Sequence, residues 1–88
     1  MPRVQFTPIL KRFFPSLGPA QTKSLQIDAL LEELEQQYPG LKDYLLDEQG
    51  ELRQHVNIFV NDELVRDFRQ RELSPKDEVF IMQALSGG

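Results

Sequence analysis

The chain has 88 residues and a hydrophobic content of 40%, which is enough for one globular domain with a single modest core. Its formal net charge of −4 argues against a nucleic-acid partner, because phosphates demand clustered Lys and Arg. Cysteine is absent, which excludes disulfides and thiolate metal sites, and no apolar run has signal-peptide or membrane-spanning length, so we expect a cytoplasmic protein.

The N-terminal part of the chain predicts two strands separated by a loop. Apolar residues at Val4, Phe6 and Ile9 indicate a first strand, whose pairing should weaken or end at the proline before Ile9. Residues 15–19 contain two prolines and a glycine and predict a loop. A second, poorly patterned short strand is predicted over residues 20–25.

Apolar residues at helical spacing then predict the main helix. They are Ile27, Leu30, Leu31, Leu34 and Tyr38. Ser24 or Asp28 is predicted to begin this helix, and Pro39-Gly40 should end it. Residues 41–46 predict a second, short helical segment.

The C-terminal half predicts three strands. The alternation over residues 55–60 is the clearest strand pattern of the chain. Residues 61–62 (Asn-Asp) tolerate positive φ and predict a tight hairpin turn into a short strand at 63–65. The charged stretch 67–72 is predicted to be irregular, and residues 78–83 form the last predicted strand.

These elements predict an α+β fold. A mixed sheet of four to five strands with one main helix packed on one face is the smallest arrangement that buries both apolar stripes. This is the ubiquitin-like β-grasp architecture. We place the β-grasp domain at residues 1–84 and a flexible C-terminal tail at 85–88.

Two segments of the chain resemble the MoaD/ThiS family of ubiquitin-like sulfur carriers. They are YPGLKDYLLDEQGELRQHVNIFVNDELVR at 38–66 and KDEVFIMQALSGG at 76–88, which ends in Gly87-Gly88. The strand and turn at 56–62, together with TPILKRF near the N-terminus, are most similar to the carriers of bacterial cysteine biosynthesis. The chain also resembles the archaeal small modifiers.

The resemblance implies that the carboxylate of Gly88, preceded by Gly87, is the working group. An ATP-dependent, ubiquitin-activating-type adenylyltransferase would adenylate it, and sulfur would displace AMP to leave a terminal thiocarboxylate. A sulfur-accepting biosynthetic enzyme, cysteine-synthase-like by resemblance, would use that group, and a metalloprotease is a further candidate partner. Thiamine, molybdopterin or another sulfur metabolite remain alternative products.

On this interpretation the chain is a co-substrate with no catalytic residue, no intrinsic cofactor and no metal site. A single histidine without cysteine makes no metal site, and His55 is interpreted as a surface residue. A free tail suits a monomer. Two alternatives stay open: a modifier conjugated through Gly88 to target lysines, and a plain β-grasp binding module with an incidental tail.

Glycine suits this tail for physical reasons. Without a Cβ the chain can pass through a narrow channel, and the carboxylate of Gly88 is open to attack. Residues 85–88, if extended, reach at most about 14 Å beyond the last strand, at roughly 3.5 Å per residue.

An apolar docking patch is predicted on the sheet face away from the helix. Its members are Phe59, Leu64, Phe80 and Met82, with Leu85 where the tail begins. By resemblance this face docks onto the activating enzyme. For Phe59 and Phe80, a position in the core is the alternative.

Overall fold

The structure, a computed structural model, describes residues 1–83. Its strands and helices, in chain order, are β1 (Arg3–Phe6), a 3-10 helix (Pro8–Arg12), β2 (Ala20–Gln21), α1 (Ile27–Gln37), α2 (Leu41–Leu45), β3 (Val56–Val60), β4 (Glu63–Val65), a second 3-10 helix (Phe68–Gln70) and β5 (Glu78–Gln83). The end of the predicted domain at Ala84 and the predicted tail lie outside the described residues.

The five strands form one mixed sheet in the order β2-β1-β5-β3-β4. β1 and β5 pair in parallel, and the other neighbouring pairs are antiparallel. The strand that leads into the tail therefore lies at the centre of the sheet, between β1 and β3. This arrangement confirms the predicted mixed sheet with one main helix.

One face of the sheet and one face of α1 form the core. The helix contributes Ile27, Leu30, Leu31 and Leu34, all buried. The sheet contributes Val4, Val56, Ile58, Val60, Val65, Val79 and Ile81. Burying a Val, Leu or Ile side chain contributes about 1.5–3 kcal/mol, so this apolar contact is the main source of stability.

The first strand is shorter than its apolar pattern suggests. β1 ends at Phe6, and Pro8 opens a 3-10 helix, so Ile9 is helical and does not extend the strand. The fixed φ of proline suits the first turn of a helix. The second strand was predicted too long, because only Ala20–Gln21 pair with β1 and the chain then turns away.

The main helix starts at neither predicted residue. α1 begins at Ile27, after Gln26, whose side chain makes no capping hydrogen bond. The Ser24 backbone N–H donates to Thr22 (3.0 Å), which places Ser24 in the preceding turn. The Asp28 carboxylate accepts from the next backbone N–H, which holds it inside the first turn. As predicted, the helix stops before Pro39.

The hairpin prediction is confirmed, and the charged stretch after it holds more structure than expected. Asn61 and Asp62 have φ of 51° and 70°, as a tight turn between β3 and β4 requires. Residues 67–72 were predicted to be irregular, but Phe68–Gln70 forms a 3-10 helix. Phe68 is only 3% exposed, so one apolar side chain anchors this segment to the core.

Candidate functional site

The sheet face away from α1 carries a row of apolar side chains. Strand register places Phe59 opposite Phe80 on β5 and opposite Leu64 on β4. Met82 is next on this face, opposite Asn57. Since successive strand residues point to opposite faces, the buried residues between these fix their direction. The four predicted patch residues therefore share one face.

Exposure differs among the four members of this face. Leu64, on the edge strand β4, is 52% exposed. Phe59, Phe80 and Met82, on the neighbouring strands β3 and β5, are half-buried. Phe59 and Phe80 are absent from the buried core, so the alternative core position is wrong. We call these four residues the sheet patch.

The end of β5 is tied to the body by hydrogen bonds on both sides. The Gln83 backbone N–H donates to the hydroxyl oxygen of Thr7 (3.0 Å), and the Thr7 N–H donates to the Ile81 carbonyl (3.1 Å). On the other side Gln83 is in register with Val56 of β3. The point where the chain leaves the sheet is thus fixed, and the next five residues, 84–88, end at Gly88.

A groove beside Gln83 was not predicted from the sequence. Asp43, Tyr44, Arg53 and His55 line it. The Arg53 guanidinium donates to the Asp43 carbonyl from Nε (3.3 Å) and from Nη2 (3.0 Å). His55, interpreted from the sequence as a surface residue, is exposed here next to β3.

Two aromatic side chains extend this groove toward the first 3-10 helix. The rings of Phe13 and Tyr44 lie 5.0 Å apart between centroids, and Phe13 is 57% exposed. Phe14 meets Tyr44 edge-on at 5.8 Å. The sequence signal for this cluster was the Phe-Phe pair after Lys11-Arg12, but its contact with Tyr44 depends on tertiary packing.

Arg66 lies at the same end of the sheet, on the β4 side of β3. Its Nη1 donates to the Val56 carbonyl (2.9 Å) and to the Asn57 side-chain oxygen (2.8 Å). Its Nη2 donates to the Leu52 carbonyl (3.2 Å). Arg66 thus places a positive charge between the sheet patch and the start of β3.

The opposite end of β5 is fixed by an acidic turn. The Asp77 carboxylate accepts hydrogen bonds from the Ser74 N–H and from the Asn61 side-chain amide, both at 2.7 Å. These bonds favour the charged form and hold the pKa of Asp77 below its ordinary value of 3.8, the Ser74 bond most strongly. Asn61 also exchanges two hydrogen bonds with Glu78, which locks the hairpin turn to the start of β5.

Other kinds of site find no support in the described part of the chain. Within residues 1–83 no group of three or more His, Asp or Glu could hold a metal ion. No helix in that range is both long and apolar enough to span a bilayer.

Comparison with known proteins assigns the chain to a family. The ThiS family model matches residues 19–88, which include β5 and the terminal Gly87-Gly88. The chain belongs to the ThiS family. A search of curated proteins found no significant sequence match.

Solved structures agree with this assignment. A chain of the Amycolatopsis orientalis BexX/CysO complex is 26% identical, with a TM-score of 0.84 and 100% coverage of both chains. Mycobacterium tuberculosis CysO is 28% identical, with a TM-score of 0.82, covering 97% of this chain and 100% of its own. Small archaeal modifier protein 1 from Methanosarcina acetivorans is 27% identical, with a TM-score of 0.72 and coverage of 99% and 95%.

The predicted resemblance to ubiquitin-like sulfur carriers is thereby confirmed. The predicted roles of individual residues are a separate matter. Gly87, Gly88 and Leu85 lie outside the described residues, and the docking role of the sheet patch stays a prediction.

Proposed function

We propose that this ThiS-family chain is a sulfur carrier for cysteine biosynthesis, with the Gly88 carboxylate as the group that is activated and loaded. The observation that carries the proposal is the family match, which extends through Gly87-Gly88. Similarity to CysO at 26–28% identity over nearly the whole chain favours the cysteine pathway over thiamine or molybdopterin.

The loading chemistry has two steps. The Gly88 carboxylate attacks the α-phosphorus of ATP, the bond to pyrophosphate breaks, and an acyl-adenylate forms. Hydrosulfide then attacks the carbonyl carbon, the bond from that carbon to the AMP phosphate oxygen breaks, and loss of a proton leaves the thiocarboxylate. Both steps require an adenylyltransferase of the ubiquitin-activating type, and ATP is a substrate of that enzyme.

The body of the chain contributes position. β5 is bonded on both sides, so the tail starts from a rigid point at the centre of the sheet. Five residues follow Gln83 and can span at most about 17 Å at roughly 3.5 Å each. A partner that binds the folded part of the chain can therefore receive the carboxylate in an active site that lies up to this distance from Gln83. The chain acts as a co-substrate in this scheme and catalyses neither step.

The sheet patch is the proposed contact with the adenylyltransferase. An exposed leucine on an edge strand beside half-buried aromatic residues has the composition of a protein-binding surface. The similar Amycolatopsis orientalis chain comes from a complex, which supports a protein partner for this chain too. We propose a cysteine-synthase-like enzyme as the sulfur acceptor and a metalloprotease as a further partner.

Intact-mass spectrometry tests the proposal. Wild-type chain incubated with the adenylyltransferase, ATP and a sulfur source should gain the mass difference between sulfur and oxygen at its C-terminus. A chain ending at Gly87 is the matched control and should stay unmodified, because its terminal carboxylate falls short of the reacting position. The absence of a mass gain in wild type, with an enzyme that is active on another carrier, would contradict the proposal.

A second candidate function rests on the similarity to small archaeal modifier protein 1 at 27% identity. A modifier would form an isopeptide bond from Gly88 to a lysine of a target protein. High-mass conjugates in cells, with a Gly-Gly remnant on lysine after proteolysis, would favour this role. Thiocarboxylate without conjugates would favour the carrier.

A further inference from the structure

The end of the sheet from which the tail leaves is positively charged, although the chain as a whole is acidic. Arg53 and His55 line the groove beside Gln83, and Arg66 bonds to the Val56 carbonyl from the other side of β3. Arg12 is exposed beside Phe13, whose ring packs on the groove residue Tyr44. We call Arg12, Arg53, His55 and Arg66 the basic rim.

The other end of the same sheet carries charges of both signs, because Arg3 is in register with Glu78 and Arg71 forms an ion pair with Glu63. Asp62 and Glu63 lie in and after the hairpin turn, and Asp77 and Glu78 lie at the start of β5. In the groove beside Gln83, Asp43 is the one carboxylate among the lining residues. At the tail end the three arginines of the rim outnumber the nearby carboxylates of Asp43 and Asp67, although the chain as a whole has a net charge of −4.

The length of the tail determines which surface of the partner the tail end of the sheet contacts. Five residues separate Gln83 from the terminal carboxylate, and they span at most about 17 Å. When the carboxylate is in a partner's active site, the side chains around Gln83 lie against the mouth of the channel that admitted the tail. The basic rim is therefore placed at an interface whenever the proposed chemistry occurs.

We propose that the basic rim binds an acidic collar around the tail channel of the adenylating enzyme, as a second contact separate from the sheet patch. The inference rests on the proposed function. Complementary charges at such a rim speed encounter and set orientation more than they add affinity. Here they would align the tail with its channel before the sheet patch docks. Phe13 supplies an exposed aromatic side chain in the same surface, a residue type enriched in protein interfaces.

Charge reversal with matched controls tests the rim. Arg12→Glu changes an exposed side chain, and Arg12→Glu/Arg53→Glu reverses two rim charges. Lys76→Glu and Lys23→Glu/Lys76→Glu make the same charge changes at the opposite end of the sheet, where both lysines are exposed. ATP–pyrophosphate exchange is measured with a purified adenylyltransferase that accepts the wild-type chain, and thermal melting checks the fold of each variant.

Each reversed rim charge should raise KM for the carrier about 3- to 10-fold at low salt, with kcat unchanged. The effect should shrink at high salt, where charges farther apart than a few ångströms are screened. The lysine controls should leave KM near that of wild type. Equal KM changes in rim and control variants, or a salt-independent loss of kcat, would overturn the proposal.

Two further outcomes are distinguishable. If no adenylyltransferase supports exchange with the wild-type chain, the proposed function itself fails, whereas normal exchange with unaffected rim variants removes only the rim proposal. If a fluorescent oligonucleotide binds wild-type chain and loses binding in the rim variants, the surface serves nucleic acid, and the acidic-collar proposal is wrong.

Discussion

Replacing Leu64 by alanine tests the sheet patch directly, because this side chain is exposed and faces the same way as Phe59. Full burial of a leucine side chain is worth about 1.5–3 kcal/mol. With 52% of Leu64 exposed, about half of that, or roughly 0.8–1.5 kcal/mol, remains to be gained when a partner covers it. Losing this contact should raise KM for the carrier about 4- to 12-fold.

The assay is ATP–pyrophosphate exchange at varied carrier concentration. We expect kcat to stay constant, since Leu64 is outside the reacting group and contributes only to binding. Leu25→Ala is the matched control: its side chain is 47% exposed, but it precedes α1 and lies outside the sheet. Thermal melting of both variants should stay close to wild type, because surface truncations change stability little.

The reasoning fails if Leu64→Ala and Leu25→Ala give the same KM. It also fails if Leu64→Ala lowers kcat at saturating carrier, because that result would mean that Leu64 helps to align the tail for the reaction.

Two predictions concern stability. Ile58 is fully buried between its register partners Ile81 and Val65. Ile58→Ala should therefore lower the free energy of unfolding, measured by urea denaturation, by about 2–5 kcal/mol. A loss no larger than that of a surface variant would contradict this prediction. Asp77 has a pKa below 3.8 in the folded state, so its contribution is present above pH 3.8 and is lost as pH falls through the lowered value. Asp77→Ala should therefore destabilise the chain at neutral pH and lose its effect in strong acid, and a pH-independent difference would refute the linkage.

The sequence was sufficient for the elements with strong periodicity. Alternation in β3 and β5 placed Phe59 and Phe80 on the face opposite Ile58, as the structure has them. The position of the hairpin followed from Asn61 and its neighbour, because these residue types tolerate positive φ. In each case one local pattern determines the conformation.

Features that depend on tertiary contact could not be predicted in this way. The start of α1 was wrong because Gln26 is a poor capping type, while Ser24 bonds within the preceding turn. Phe68 was missed as a core residue because charged neighbours surround it in the sequence. The groove beside Gln83 joins residues from three separate segments, and Phe13 packs on its Tyr44 from a fourth, so no local pattern relates Phe13 to Arg53.

The parallel pairing of β1 with β5 has a consequence for how the protein is made. Arg3 pairs with Glu78, so β1 has no central neighbour until nearly all of the residues between β1 and the end of β5 have been synthesised. Until β5 arrives, β1 and β3 each expose an unpaired edge, and such long-range pairing is slow to form. Only a chain translated through Gln83 can complete the sheet. A partner that recognises the folded body therefore selects chains whose synthesis has reached the base of the tail.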